Sequence, residues 1–229
     1  MLPRIAVFAD GFKNSGGSGF ENLVNVSRRK DGALKAEIAG VVSRIDDGLV
    51  FDRAWRLGIP FFHYAEPADV AAAMNSIWRM MRTMDAEWAV LSGFRRKLYG
   101  LDPQKTINIH PALLSVKKSD GTPRFGGKGM WGDAVHAAVK AARDRGEIEY
   151  TGFSMHFVGS GEYDSGPVFY EHAVDISAGM QADRIRALVH RAELEHQPRL
   201  VNEVVHGRIS WDGKRNSSLI NHTKTKESI

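Results

Sequence analysis

The chain of 229 residues contains no cysteine, which removes disulfides, thiolate metal ligands and cysteine nucleophiles from its available chemistry. Apolar runs of bilayer-spanning length are missing too. The opening segment Met1-Leu2-Pro3-Arg4-Ile5-Ala6-Val7-Phe8-Ala9-Asp10 reaches an aspartate before it builds a signal-type apolar region, and it has no small-residue cleavage pattern. A soluble, cytoplasmic protein with no membrane partner is expected. There is little charge of one sign. The formal net charge is +4, but residues 213–229 carry Lys214, Arg215, Lys224 and Lys226 against Glu227 alone, so three of the four charges lie in that tail. The remaining body is almost neutral, which argues against a nucleic-acid partner.

What is present is enough apolar material, 43% of residues, to fill one core. The first half alternates between two periods. Ile5 to Phe8 reads as a strand, followed by the Gly/Ser/Asn-rich stretch Gly11 to Gly19 and a helix from Phe20 to Arg29. Ala36 to Val42 and Pro60 to Tyr64 read as strands around a helix from Leu49 to Leu57, which Gly58 stops. Pro67 suits the first position of a helix running to about Met84. Trp88 to Leu91 and Thr106 to His110 are further strands. Continuous apolar strands alternating with helices predict an α/β fold: a doubly wound, mostly parallel sheet with helices on both faces. Ligands of such sheets sit beyond the carboxyl ends of the strands.

Farther along, a long loop from Ala112 to Gly132 leads into a helix from Asp133 to Arg145. Two strands follow, Glu147 to Val158 and Pro167 to Val174, and a hairpin-like antiparallel C-terminal extension is the simplest topology for them. Ala182 to Val205 has helical spacing, with a kink or interruption expected at Pro198, and Arg208 to Trp211 reads as a last short strand. Residues 1–212 are expected to form a single α/β domain, with 213–229 as a mobile, polar, basic tail.

Asn108 and His110 are two apart on a strand, so their side chains share a face, and Pro111 ends the ladder directly after them. Alone, the pattern N-x-H-P describes two satisfied polar side chains at a strand end more often than a catalytic pair. Chemically, an asparagine amide can donate to a developing oxyanion while a neighbouring histidine takes or gives a proton, the combination that acyl-type transfer uses. Asp164, in the Gly-rich segment after a predicted strand, could orient such a histidine, although an aspartate there is also a common turn former. Gly16, Gly17, Ser18 and Gly19 lie between a strand and a helix, where backbone N–H groups can hold a phosphate. They lack the nucleotide P-loop ending and the dinucleotide spacing, and a surface turn is an equal reading.

Taken in order, this loop, Ser92-Gly93-Phe94-Arg95-Arg96, Asn108-Ile109-His110-Pro111-Ala112-Leu113-Leu114 and Asp164-Ser165-Gly166-Pro167-Val168 resemble the formyltransferases that use 10-formyltetrahydrofolate. Within them the likeness is to the branch acting on glycinamide ribonucleotide in purine biosynthesis, and it runs from Ile5 to about Trp211. The resemblance implies that Asn108, His110 and Asp164 are catalytic: Asn108 holding the formyl oxyanion, His110 assisting proton transfers, and Asp164 orienting His110 and ordering a relay water. It implies a folate-binding border made of Phe94, Arg95, Arg96, Lys97 and Leu98 together with Gly159 to Asp164, including Gly161 and Tyr163. Gly16 to Gly19 would meet the acceptor's phosphate and Glu193 its ribose, and Phe125 to Gly132 would be a mobile loop near the pocket. Formyl-folate is then a co-substrate and no metal is needed.

The chain departs from the family's pattern at Gly19, where the family usually carries an asparagine, and at Leu194 and Gln197, where it tends to have histidine and an aromatic residue. All three departures fall on the acceptor side. A different amine, such as a nucleotide sugar, and hydrolysis of formyl-folate therefore stand as alternatives, with a non-enzymatic folate- or phosphate-binding protein as the rival from another class. Hydrolase relatives bring an N-terminal regulatory domain and methionyl-tRNA relatives a C-terminal RNA-binding domain, and neither is expected in this chain. The expected assembly is a monomer or homodimer.

Overall fold

The computed structural model describes residues 1–159, 161 and 163–222. In chain order its elements are β1 (Arg4–Phe8), a small hairpin of β2 (Gly11–Phe12) and β3 (Ser15–Gly16), α1 (Ser18–Ser27), β4 (Glu37–Ser43), α2 (Leu49–Leu57), β5 (Phe61–His63), α3 (Val70–Thr83), β6 (Trp88–Ser92), β7 (Thr106–His110), α4 (Asp133–Asp144), β8 (Tyr150–Phe157), β9 (Val168–Asp175), α5 (Ala182–Val205), β10 (Ile209–Ser210) and β11 (Ile220–Asn221).

Seven strands form one sheet in the order β5-β4-β1-β6-β7-β8-β9. The first five are parallel, and β8 and β9 extend the sheet antiparallel. This is the doubly wound α/β sheet with the antiparallel extension that the alternation predicts. β1 explains why the central strands lack polar alternation. Its Ile5 and Val7 pack into a core shared with α1, α2, α4 and α5. Its Ala6 and Phe8 face the opposite layer, against Ile77 of α3. A strand covered on both sides must be apolar throughout. The chain leaves β1 for β4 and β5 and then returns to β6 on the other side of β1. Strand order therefore reverses between β1 and β6, and their carboxyl ends open a crevice.

Two local expectations are corrected by side-chain chemistry. Pro67 does not begin α3. The helix starts at Val70, because the Asp69 carboxylate accepts the Ala72 N–H at 2.8 Å and caps it. Pro198 does not interrupt α5, which runs unbroken from Ala182 to Val205. Proline has no N–H for the carbonyl four residues back, and here the Asn22 side chain supplies the missing donor, reaching the Leu194 oxygen at 2.7 Å.

Residues 213–222, expected to be mobile, fold back on the body. β11 pairs with β10, Leu219 packs against the main core, Trp211 Nε1 donates to the Arg215 carbonyl at 2.7 Å, and Asn221 Nδ2 donates to the Phe169 carbonyl. The rest of that tail, 223–229, lies outside the described residues. Among the described residues no helix is long and apolar enough to cross a membrane.

Candidate active site

A cleft of about 550 Å³ opens where strand order reverses. Its walls include every candidate residue named from sequence: Gly16, Gly17, Ser18, Gly19, Phe94, Arg95, Arg96, Lys97, Leu98, Asn108, His110, Gly161, Tyr163, Asp164 and Glu193. Ser160 and Glu162, within the expected Gly159 to Asp164 border, lie outside the described residues.

The wall that carries Asn108 and His110 is built by strand register. Asn108 and His110 project from one face of β7, and the antiparallel pairing sets His156 of β8 opposite Asn108 and Ser154 opposite His110. Asn108 Nδ2 donates to His156 Nε2 at 3.0 Å, while His156 Nδ1 lies 2.8 Å from the Phe157 carbonyl. The carbonyl requires the proton on Nδ1, so Nε2 is the acceptor that the amide needs. The Ser154 hydroxyl accepts the Leu114 N–H at 2.9 Å and lies 2.8 Å from the Ala112 carbonyl, tying down the turn that follows β7.

His110 is 4% exposed. Its Nε2 is 2.6 Å from the Phe125 carbonyl, so that nitrogen carries the proton and Nδ1 has the lone pair. Nδ1 faces Asp164 Oδ2 at 3.6 Å. Burial pushes the His110 pKa below the ordinary histidine value, outweighing the attraction of Asp164, and the ring is neutral at pH 7. Burial would raise the Asp164 pKa, but the adjoining His156 and His110 rings, which attract the carboxylate whenever either is protonated, and the Gly127 N–H at 2.8 Å prevail and hold the carboxyl below its usual range. The site therefore pairs a neutral imidazole with a carboxylate that can stabilise a proton arriving at Nδ1.

Asp164 reaches this position through strained backbone, with φ 53 in the left-handed region. The loop returns to β9 through Gly166, where a side chain would strike the Phe157 carbonyl at 1.8 Å from its Cβ. Behind the loop is a second hollow, lined by Asp164, Ser165, Gly166, Val168, Asn216 and Leu219.

The next part of the cleft is the loop that follows β6. Phe94 packs edge-on to Phe8 with ring centres 5.8 Å apart, and the Lys97 N–H donates to the Tyr163 hydroxyl at 3.1 Å, joining the two loops on that side. The expected mobile loop supplies Gly127, Met130, Trp131 and Gly132 to the cleft. Its Phe125 carbonyl fixes the His110 tautomer.

The opposite wall consists of the α1 amino end and one face of α5. Gly17 precedes α1 without a side-chain cap, leaving the first N–H groups directed at the cleft. The Ser18 hydroxyl is 3.0 Å from His190 Nε2, whose Nδ1 is 3.2 Å from Glu193 Oε2, so the serine, imidazole and carboxylate form a chain along this wall. Gly19 has no room for a side chain: its Cβ would lie 2.2 Å from the Ser92 hydroxyl and 3.3 Å from Gln197 Oε1. Gln197 is buried, and among the described residues its Nε2 has no partner.

Among the cleft residues to which sequence reasoning gave no role are Asp10, His136, His156 and His190. His156 had one readable signal, since it shares a strand face with Ser154 just before the loop carrying Asp164. His136 is buried on α4, its Nδ1 without a partner among the described residues, and burial lowers its pKa to about 4. Among the described residues no cluster of three or more metal-type ligands exists.

An amide donor, a neutral imidazole backed by a carboxylate and a bare helix amino end, all at the reversal of a doubly wound sheet, define a group transferase of the acyl-transfer type. The formyl transferase family model matches residues 4–201, and the chain belongs to that family. It is 28% identical over 216 residues to the chloroplastic phosphoribosylglycinamide formyltransferase of Arabidopsis thaliana, covering 91% of this chain and 67% of that protein. With the phosphoribosylglycinamide formyltransferase of Escherichia coli it shares 28% identity, over 87% of this chain and 91% of the relative. Glycinamide ribonucleotide transformylase 1 from Geobacillus kaustophilus superposes with a TM-score of 0.71 at 27% identity, covering 90% and 100% of the two chains. The phosphoribosylglycinamide formyltransferase structure from Coxiella burnetii gives a TM-score of 0.76 at 22% identity, a likeness of fold.

Proposed function

We propose that this protein transfers a formyl group from 10-formyltetrahydrofolate to the amine of glycinamide ribonucleotide in de novo purine biosynthesis. The single observation that carries this reading is the arrangement of Asn108, His110 and Asp164 at one strand end, opposite the bare amino end of α1. The similarity to relatives named for that reaction supports the choice of acceptor.

The cleft suits a folate co-substrate: apolar side chains Phe94, Leu98 and Val158 line it beside backbone and polar groups. Formyl-folate supplies an electrophilic one-carbon unit. The Asn108 carboxamide nitrogen, anchored to His156 by one N–H, has a second to offer the oxygen that gains negative charge when an amine adds. His110, neutral and with its Nδ1 lone pair facing Asp164, takes a proton from the attacking amine, and Asp164 stabilises the imidazolium; the tetrahedral adduct then collapses by breaking the bond between the formyl carbon and folate N10, and that nitrogen leaves as tetrahydrofolate with the proton His110 gives up. On the far wall the α1 amino end and Ser18 meet the acceptor's phosphate, and Glu193 accepts from its ribose hydroxyls. No metal enters this scheme.

The test is an absorbance assay for deformylated folate with glycinamide ribonucleotide set against a panel of other amines, nucleotide sugars included. Preference for glycinamide ribonucleotide is expected. Turnover that proceeds equally without any amine would replace the transferase reading with hydrolysis, and activity on another amine alone would reassign the acceptor.

A further inference from the structure

The loop Gly93 to Arg96 is held residue by residue by a chain of charges, buried at Asp10 and reaching the surface at Glu66 and Arg96, outside the proton and oxyanion chemistry. Asp10, just past the end of β1, has a fully buried side chain. Its carboxylate accepts Arg44 N at 3.2 Å, Arg44 Nε at 3.0 Å, Arg44 Nη2 at 2.7 Å and Arg95 N at 3.0 Å. The Asp10 N–H donates to the Gly93 carbonyl at 3.2 Å. The Arg44 guanidinium stands 5.8 Å from the centre of the Phe94 ring, and its Nη1 reaches Glu66 at 3.4 Å. Glu66 in turn holds Arg96 Nε at 2.7 Å. Thus the Gly93 carbonyl, the Phe94 ring, the Arg95 N–H and the Arg96 guanidinium each have a partner in the series Asp10, Arg44, Glu66.

A desolvated carboxylate persists as a charge only where N–H donors replace its water. Asp10 meets that condition by taking donors from two places at once, the end of β4 and the start of the loop. Apolar packing could have joined β1 to β4 without spending a charge. What packing cannot do is fix the direction of the Arg95 peptide, because that takes an acceptor at a defined point. Glu66 adds to the same constraint: its backbone has φ 53, uncommon for a non-glycine residue, and its carboxylate is gripped by Arg44 and Arg96.

We infer that Asp10 and Arg44 are positioning residues that hold Gly93 to Arg96 in the shape that receives the formyl donor, so that they govern donor KM and not the chemical step. The inference rests on reading this loop as the donor side of the cleft.

Steady-state kinetics with each substrate varied separately, alongside thermal melting, tests it on Asp10→Asn, Arg44→Lys and Phe94→Ala. Asp10→Asn should raise donor KM about 10-fold or more, with acceptor KM and kcat at saturation within about 3-fold. Arg44→Lys keeps the charge but loses the two-pronged contact, and should raise donor KM by a smaller factor. Phe94→Ala, a direct wall residue, should raise donor KM as well. If Phe94→Ala raises donor KM while Asp10→Asn and Arg44→Lys leave it unchanged, the positioning role is wrong and the donor wall stands. If all three leave donor KM unchanged, the donor-wall reading falls and takes the inference with it. A fall in melting temperature or kcat with both KM values moving alike marks a merely structural pair and overturns the proposal. Should Asp10→Asn fail to fold, the same measurements on Arg44→Lys decide.

Discussion

The two walls of the cleft are built by different means. On the wall proposed as catalytic, Asn108, His110 and His156 are placed by the pairing of β7 with β8, and each has its tautomer or amide orientation set by a short hydrogen bond. On the proposed acceptor wall the groups come from a helix amino end and from α5, and they are less completely satisfied: Gln197 Nε2 has no partner among the described residues and Gly19 contributes no side chain. An unsatisfied buried donor costs about 1–3 kcal/mol. The contrast implies that the chemistry is preorganised by the sheet, whereas the acceptor wall depends more on its ligand to complete it.

The largest effect expected from breaking the contrast lies on the catalytic wall. His110→Ala and Asp164→Ala should each lower kcat by about 10³-fold with acceptor KM little changed, while circular dichroism and melting show the fold intact. Near wild-type turnover in both variants would remove these residues from the mechanism.

A second expectation concerns pH. The pKa of His136 is lowered from the ordinary 6.5 to about 4, and that of His110 is lowered too, both by burial. Unfolded imidazoles gain protons below pH 6.5 that the folded ones refuse, so stability should fall as pH drops from 6.5 toward 4. The loss from His136 alone is about 2 kcal/mol by pH 5. Urea unfolding at pH 7 and at pH 5 measures it, and His136→Phe should flatten the dependence.

Smaller effects should appear on the acceptor wall. Gly19→Ala pushes a methyl toward the Ser92 hydroxyl and should raise acceptor KM about 10-fold, with donor KM unaffected. Adding Ser92→Gly should restore most of it, because the 2.2 Å approach is removed. Glu193→Gln keeps the shape and removes the charge at the end of the Ser18, His190, Glu193 chain, so acceptor KM should rise only about 3- to 5-fold. If either change moved donor KM instead, the division of the cleft into two walls would be wrong.

The same division describes what could be read in the sequence. β7 and α2 were legible to the residue, because a continuous apolar strand ending in Pro111 and an amphipathic turn-bounded helix are local patterns. The pairing of Asn108 with His156 was not, since it spans 48 residues and depends on the register of an antiparallel strand. Asp10 was equally silent: a lone aspartate after a strand looks like the start of a loop, and only the arrival of Arg44 and Arg95 makes it a junction. Pro198 misled for a related reason. Its missing donor is replaced from α1, a helix more than 170 residues earlier in the chain.

The folding back of residues 213–222 bears on where the working unit ends. Asn216 and Leu219 line the hollow directly behind the segment carrying Asp164, and Asn221 is bonded to β9 at the far end of that segment. These residues stand as a buttress behind the strained backbone that carries Asp164 of the proposed acid–base pair. A stop codon after residue 212 would spare every residue that lines the cleft yet leave the Asp164 loop without its rear support. Such a shortened protein should lose activity by letting Asp164 drift from His110, with its substrate walls otherwise complete.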